Sequence, residues 1–205
     1  MTSIPKVSVI IPFYNRERHI ERCIRSLLSQ TIDKVEYEII LINDGSTDNS
    51  LRAIEPYRDD IILIENKENK GLPYSLNRGI VSSKGQYIVR VDSDDYVSSR
   101  YIDLLLYYLS CNSHCHAVAC DYLLVTDEEE IINRKNCFHH PIGCGIMFRK
   151  DALINLGLYN IGLKIDEDVE LMERFLETYK IERLALALYR YRMHDDNLTG
   201  DRALQ

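Results

Sequence analysis

The chain has 205 residues, 45% of them hydrophobic and 28% charged, the balance of one globular domain large enough to bury a continuous core. Its formal net charge of −7 lacks the basic face that a nucleic-acid backbone calls for, so nucleic acid is excluded as the expected partner. Met1 to Lys6 has neither the charged start nor the apolar stretch of a secretion signal, and no apolar run approaches the roughly 20 residues that span a bilayer; the expectation is a cytoplasmic protein without a transmembrane segment.

Val7 to Ile11 reads as a first strand, apolar nearly throughout and therefore covered on both faces. Glu17 to Ser29 follows as a helix, with Ile20, Cys23, Ile24, Leu27 and Leu28 recurring at helical intervals. The alternation repeats, with strands at Glu38 to Ile42, Ile61 to Glu65 and Gln86 to Val91, and helices at Asp48 to Glu55 and Pro73 to Ser82. Such alternation predicts an α/β fold, a mixed and mostly parallel sheet flanked by crossover helices. Ligands bind such sheets beyond the carboxyl ends of the strands, so the polar residues after Ile11, Ile42 and Val91 should converge on one crevice.

The second half is less regular. It reads as a helix at Arg100 to Asn112, a strand at Ala117 to Val125, an acidic turn at Thr126 to Glu130 and a strand at Gly143 to Phe148. Helices at Lys150 to Leu156 and Val169 to Tyr179 precede a closing strand at Ile181 to Tyr191, and the inner side of the second helix is expected to carry Val169, Met172, Phe175, Leu176 and Tyr179. Six cysteines lie in or beside these elements and are expected as free thiols. Cys111, His114, Cys115 and His116 cluster, as do Cys137, His139, His140 and Cys144, which raises the question of zinc. No C-x2-C pair occurs, so ordinary thiols and surface imidazoles are the expectation.

Chemistry concentrates at three strand or helix ends. At Val91-Asp92-Ser93-Asp94-Asp95 an apolar strand ends in three carboxylates, whose mutual repulsion a hard cation such as Mg2+ or Mn2+ would offset; the plainer reading is a solvated turn with Asp95 capping a helix from Tyr96. Ile42-Asn43-Asp44-Gly45-Ser46-Thr47-Asp48 is a second strand tip, where Asp44 can accept hydrogen bonds from a base or ribose and Ser46 or Asp48 can cap the next helix. Pro12-Phe13-Tyr14-Asn15 adds an aromatic ring at the first tip. Asp166-Glu167-Asp168 opens a helix, where the dipole favours negative charge; Asp166 suits that role, and one of the other two suits a general base. His194 is a candidate metal ligand, or else a plain surface residue.

Taken together, Val7 to Asn15, Ile42 to Asp48, Asn69-Lys70-Gly71-Leu72, Asp92-Ser93-Asp94-Asp95 and Glu167-Asp168 resemble, in order and spacing, the successive motifs of family 2 glycosyltransferases. Gly145 to Arg149, Leu156 to Asn160 and Tyr191 to His194 extend the resemblance to nearly the whole chain. The resemblance implies a GT-A fold and transfer, with inversion, from a nucleotide-sugar donor, most often a UDP-sugar, to an acceptor hydroxyl on a glycan or lipid-linked intermediate. Pro12 and Tyr14 match residues lining the base, Asp44 the acid that hydrogen-bonds it, and Asp92 and Asp94 the ends of the DxD motif, with Asp94 the direct ligand of Mn2+ or Mg2+. Asp168 matches the general base and His194 a metal-side histidine of part of the family. Leu76 stands where many relatives carry Arg, which removes an expected phosphate contact.

One domain over residues 1–205 is expected, with a donor-binding half at 1–98 and an acceptor-side half at 99–205. Two other readings compete: a nucleotidyltransferase, which would want a glycine-rich loop where Pro12 to Asn15 stands, and a catalytically silent binding module, which would not need the carboxylates. The shortness of the chain suggests an acceptor site left open or completed by a partner subunit or a second copy. Arg183, Arg190 and Arg192 offer a basic patch for peripheral membrane association, against the plain reading of a solvated strand face.

Overall fold

The computed structural model describes residues 4–193. Four strands from the first half, β1 (Val7–Phe13), β2 (Tyr37–Asn43), β3 (Ile62–Glu65) and β4 (Tyr87–Arg90), pair in parallel in the order β3-β2-β1-β4. Each is joined to the next by crossover segments containing α1 (Ile20–Leu28), α2 (Ser50–Ile54) and α3 (Leu72–Ser82). Both faces of β1 are covered, because Val7, Val9 and Ile11 pack on one side and Ile10 on the other. That is why its sequence shows no polar alternation.

The sheet continues with β8 (Ile146–Arg149), which lies antiparallel to β4, then β6 (Ala117–Val125) and β9 (Ile181–Arg192). Helix α4 (Tyr101–Cys111) shares the core of α1, whereas α5 (Lys150–Leu156) and α6 (Glu167–Thr178) share that of α3. Helix α3 sits close on the sheet: a Cβ on Gly79 would stand 2.7 Å from Ile10 and 2.8 Å from Ile42. Leu76, one turn earlier, is buried in the same layer and therefore has no phosphate role. Among the described residues no helix is long and apolar enough to cross a membrane.

Two strands depart from the sequence expectation. Tyr96–Val97 forms β5, which pairs antiparallel with β9 at the far edge of the sheet, so Asp95 does not cap a helix there; α4 starts only at Tyr101. Ile131–Lys135 forms β7, an edge strand on β6. The inner stripe of α6 also differs. Glu167, Leu171 and Phe175 are buried at four-residue intervals while Val169 and Leu176 are exposed, because the buried Glu167 turns toward an arginine of β4 and sets the rotation of the helix.

The three arginines of β9 are not a free basic face. Arg183 donates to both oxygens of Asp121 at 2.8 and 2.7 Å, and Arg190 donates to the Ala187 carbonyl at 2.9 Å. Arg192 is buried, donating to the carbonyls of Asp94 and Asp127.

Candidate active site

The tips of β1 and β2 are knitted into one surface. Asn15, at φ 53, accepts through Oδ1 from the backbone N–H groups of Thr47 at 2.8 Å and Asp48 at 3.3 Å, while its own N–H donates to Ser46 Oγ at 3.0 Å. Asp48 accepts from the Ser50 N–H at 3.0 Å, which satisfies one orphan donor at the start of α2. Within this frame Pro12 is buried in β1 opposite Ile42, and Tyr14 projects from the tip, 41% exposed.

Asp44 is buried and organises the loop after β3. Its Oδ1 accepts from Asn66 Nδ2 at 2.7 Å and the Lys70 N–H at 3.0 Å, and Oδ2 accepts from the Gly71 N–H at 2.9 Å. A carboxylate has about four lone-pair directions, so three internal donors leave capacity for one more. The loop comes so close that a Cβ on Gly45, at φ 77, would stand 2.8 Å from the Glu68 carbonyl carbon.

The aspartate loop after β4 is braced from both ends of the chain. Arg90 donates from Nε to Asp92 Oδ1 at 2.6 Å and from Nη2 to Oδ2 at 3.3 Å, and its Nη1 reaches Glu167 Oε1 at 3.3 Å. Burial opposes the charge on Arg90 most strongly of any single influence, but Asp92, by charge and hydrogen bond, together with Tyr159 and Cys144 outweighs it, and the guanidinium is held firmly protonated. Asp95 is buried and accepts from the Tyr189 hydroxyl at 2.7 Å and the Arg192 N–H at 2.8 Å. Burial first, then the charges of Asp94 and Asp92, push the Asp95 carboxyl well above the usual range. Asp94 faces the β1 tip, with Oδ2 3.5 Å from Arg16 Nε.

Asp168, in the first turn of α6, packs against Gly143: a Cβ there would stand 2.7 Å from Asp168 Oδ2 and 3.0 Å from Arg90 Nη1. The carboxylates of the aspartate loop and of the α6 start therefore meet at Arg90. Asp166 is the N-cap residue of α6, with a left-handed φ of 64. His194 lies outside the described residues.

Residue types and strain favour a hard divalent cation. Oxygens of Asp92 and Asp95 and the Cys144 sulfur come within 4.8 Å of one another; burial is the main cause of the raised Asp95 carboxyl, and the smaller part, repulsion from Asp94 and Asp92, is what a cation at the loop would offset. The site residues missed from sequence are Arg16, Arg90, Gly143 and Tyr189. For Arg90 a signal existed, since it is the one charged residue inside the apolar run Tyr87 to Val91.

The profile described as Glycosyl transferase family 2 matches residues 8–136. EpsE of Bacillus subtilis (strain 168), named as a candidate glycosyltransferase, is 34% identical over 216 residues, covering 96% of this chain and 76% of that protein. S. aureus TarS 1–349 in complex with UDP-GlcNAc superposes with a TM-score of 0.81 at 21% identity, over 94% of this chain and 60% of that one. The Pyrobaculum calidifontis mannosyltransferase PcManGT, in complex with GDP-Man and Mn2+, gives 0.74 at 18% identity, over 96% of this chain and 59% of that one. Three further curated glycosyltransferases match over 98, 98 and 133 residues, so that the chain spans only 28%, 16% and 40% of their lengths. The solved structures establish the GT-A fold, and with the profile covering most of its length the chain belongs to glycosyl transferase family 2.

Proposed function

We propose that the chain is an inverting, metal-dependent glycosyltransferase that moves a sugar from a nucleotide-diphosphate-sugar, a UDP-sugar by preference, to an acceptor hydroxyl in glycan or polysaccharide assembly. The observation that carries this reading is Arg90, which joins Asp92 of the aspartate loop to Glu167 at the start of α6. It brings a donor-side and an acceptor-side carboxylate to one point. The reading also draws on the neighbours, since TarS holds UDP-GlcNAc and PcManGT holds GDP-Man with Mn2+.

In this mechanism residues 1–98 bind the donor. The exposed ring of Tyr14 beside Pro12 offers a flat apolar face to the base, and Asp44 has one remaining direction for a donor on the nucleoside. Asp94 and Asp92 would hold Mn2+ or Mg2+, which when bound offsets charge growing on the diphosphate. Arg90 holds Asp92, and by pairing with Glu167 it fixes the start of α6 that carries Asp168; in this reading Asp168 would face the donor sugar. Asp168 takes the proton of the acceptor hydroxyl as that oxygen bonds to the anomeric carbon. The carbon–oxygen bond to the diphosphate breaks on the opposite face, its electron pair leaves with the nucleoside diphosphate, and the anomeric centre inverts.

Asp168→Asn tests the assignment. Loss of a general base lowers kcat by about 10²- to 10⁴-fold, while UDP-sugar binding measured by calorimetry with Mn2+ stays within twofold. Turnover at the wild-type rate, or a product whose anomeric configuration by NMR matches that of the donor, would overturn the reading.

A further inference from the structure

We propose that His114, Cys115 and Glu182 form a second metal site, of the zinc class, at the end of β9 remote from the aspartate loop. One imidazole nitrogen, one sulfur and one carboxylate oxygen lie within 4.8 Å of one another. His114 Nε2 is 3.4 Å from Glu182 Oε1. Bonds of about 2.0–2.3 Å in a tetrahedral zinc site put donor atoms roughly 3.3–3.8 Å apart, so these side chains need only small adjustments to close on an ion.

Both walls of the site are rigid. The loop carrying His114 and Cys115 is held by Arg149, which donates to the carbonyls of Cys115 at 2.8 Å, Leu109 at 2.8 Å and Asn112 at 3.3 Å. The next two residues anchor just ahead of β9, with the N–H groups of His116 and Ala117 donating to the Lys180 carbonyl. Opposite, Glu182 sits in the β6–β9 ladder in register with Val118. Its second oxygen accepts from the Tyr108 hydroxyl at 2.8 Å, which leaves Oε1 facing the histidine. An outer hydrogen bond of this kind orients a metal-binding carboxylate.

The donor set selects the ion. Thiolate with imidazole favours Zn2+ over Mg2+ or Mn2+, which the proposed carboxylate pair Asp92 and Asp94 would take. His114 is largely exposed and Cys115 buried, so an ion enters from solvent and ends on sulfur, with water in the fourth position. Binding displaces the thiol proton of Cys115 to solvent. The absence of a C-x2-C pair is explained, because the third ligand comes from a strand distant in the sequence. The site lies seven residues along β9 from Tyr189, about 20 Å at strand rise, and is therefore separate from the proposed donor site.

The test uses the full chain, stripped with EDTA and titrated with Co2+ in excess Mg2+. The expected result is a sulfur-to-cobalt charge-transfer band that saturates at one equivalent, is lost in Cys115→Ser and in His114→Ala, and persists in Cys111→Ser. Zn2+ should bleach the band and raise Tm in the wild type but not in His114→Ala. Because His114 is exposed, that variant leaves the fold intact and decides the matter even if Cys115→Ser is unstable. No band at one equivalent, a band that survives His114→Ala, or one lost only in Cys111→Ser would overturn the proposal.

Discussion

The Arg90 guanidinium and the Glu167 carboxylate form a buried pair, with Nη1 3.3 Å from Oε1 and side-chain exposures of 9% and 10%. The same guanidinium holds Asp92 at 2.6 Å, so one cation serves two carboxylates from opposite halves of the chain. Arg90→Met strands both charges. Breaking a buried pair from one side costs about 3–5 kcal/mol, readable as a lower urea midpoint. Arg90→Lys keeps the charge but cannot fork between two partners; stability should largely return while turnover stays about 10²-fold down. An unchanged midpoint in Arg90→Met would show that the pair contributes nothing.

Gly143→Ala probes the placement of Asp168 without touching its chemistry. The added methyl would stand 2.7 Å from both Cβ and Oδ2 of Asp168 and must displace it. Misplacement of a reacting group by about 1 Å can cost about 10²-fold, so kcat should fall by that order while the affinity for UDP-sugar holds. Equal loss in both quantities would mean that the glycine serves the fold rather than the carboxylate.

Gly45→Ala tests the loop that Asp44 organises. A methyl at φ 77 meets the backbone of Glu68 and Asn69 at 2.8 and 2.9 Å, and neither can yield as a flexible side chain would. A destabilisation of about 1–3 kcal/mol is expected, together with weaker donor binding as the loop held by Asp44 moves. Full stability in thermal unfolding would contradict the close approach.

If the proposed metal role holds, Asp94→Ala should abolish the Mn2+ dependence of UDP-sugar binding, since it removes a partly exposed carboxylate of the kind that holds hard cations. Identical calorimetric titrations of variant and wild type, both with Mn2+, would take Asp94 out of the site.

Asp121 governs acid stability. Its carboxyl is held far below the usual carboxylate range, chiefly by hydrogen bonds from Arg183 and then Arg134, which outweigh burial. The unfolded chain, with an Asp near the ordinary value of about 3.9, takes up the proton first as pH falls. The stabilisation is thus fully present above that value and drains away below it. Asp121→Asn should lower stability at pH 7 by about 1–3 kcal/mol and flatten the fall between about pH 5 and pH 2. Parallel pH profiles for the two proteins would exclude this role.

Local patterns carried most of the fold. Apolar runs bounded by turns made β1, β2, β3 and β4 legible, and the stripe Ile20, Cys23, Ile24 and Leu27 of α1 is buried as its spacing predicts. Helix α5 spans the expected Lys150 to Leu156. Strand β5 was hidden because Tyr96–Val97 is two residues long and follows an aspartate that looks like a helix cap. Strand β7 was hidden because an exposed edge strand needs no apolar alternation, and four of its five residues face solvent. The aspartate loop, Asp44 and the start of α6 stood out as candidates because strand tips and a helix start dense in carboxylates interrupt the apolar pattern. Arg90 reaching Glu167, and Tyr189 under Asp95, left no such sign, since these partners lie 77 and 94 residues apart and leave no periodic trace.

The bracing of Asp95 also governs when the aspartate loop can be ordered. Its partners Tyr189 and Arg192 lie 94 and 97 residues further on, and closing loops of that length is slow because the entropy is lost before any contact rewards it. The strands of β3-β2-β1-β4 all precede the aspartate loop in the chain, whereas Asp95 stays unbraced until β9 is in place. A nascent chain halted before Tyr189 would therefore carry the aspartate loop without either of the partners that hold Asp95, and the ordering of that loop would arrive last.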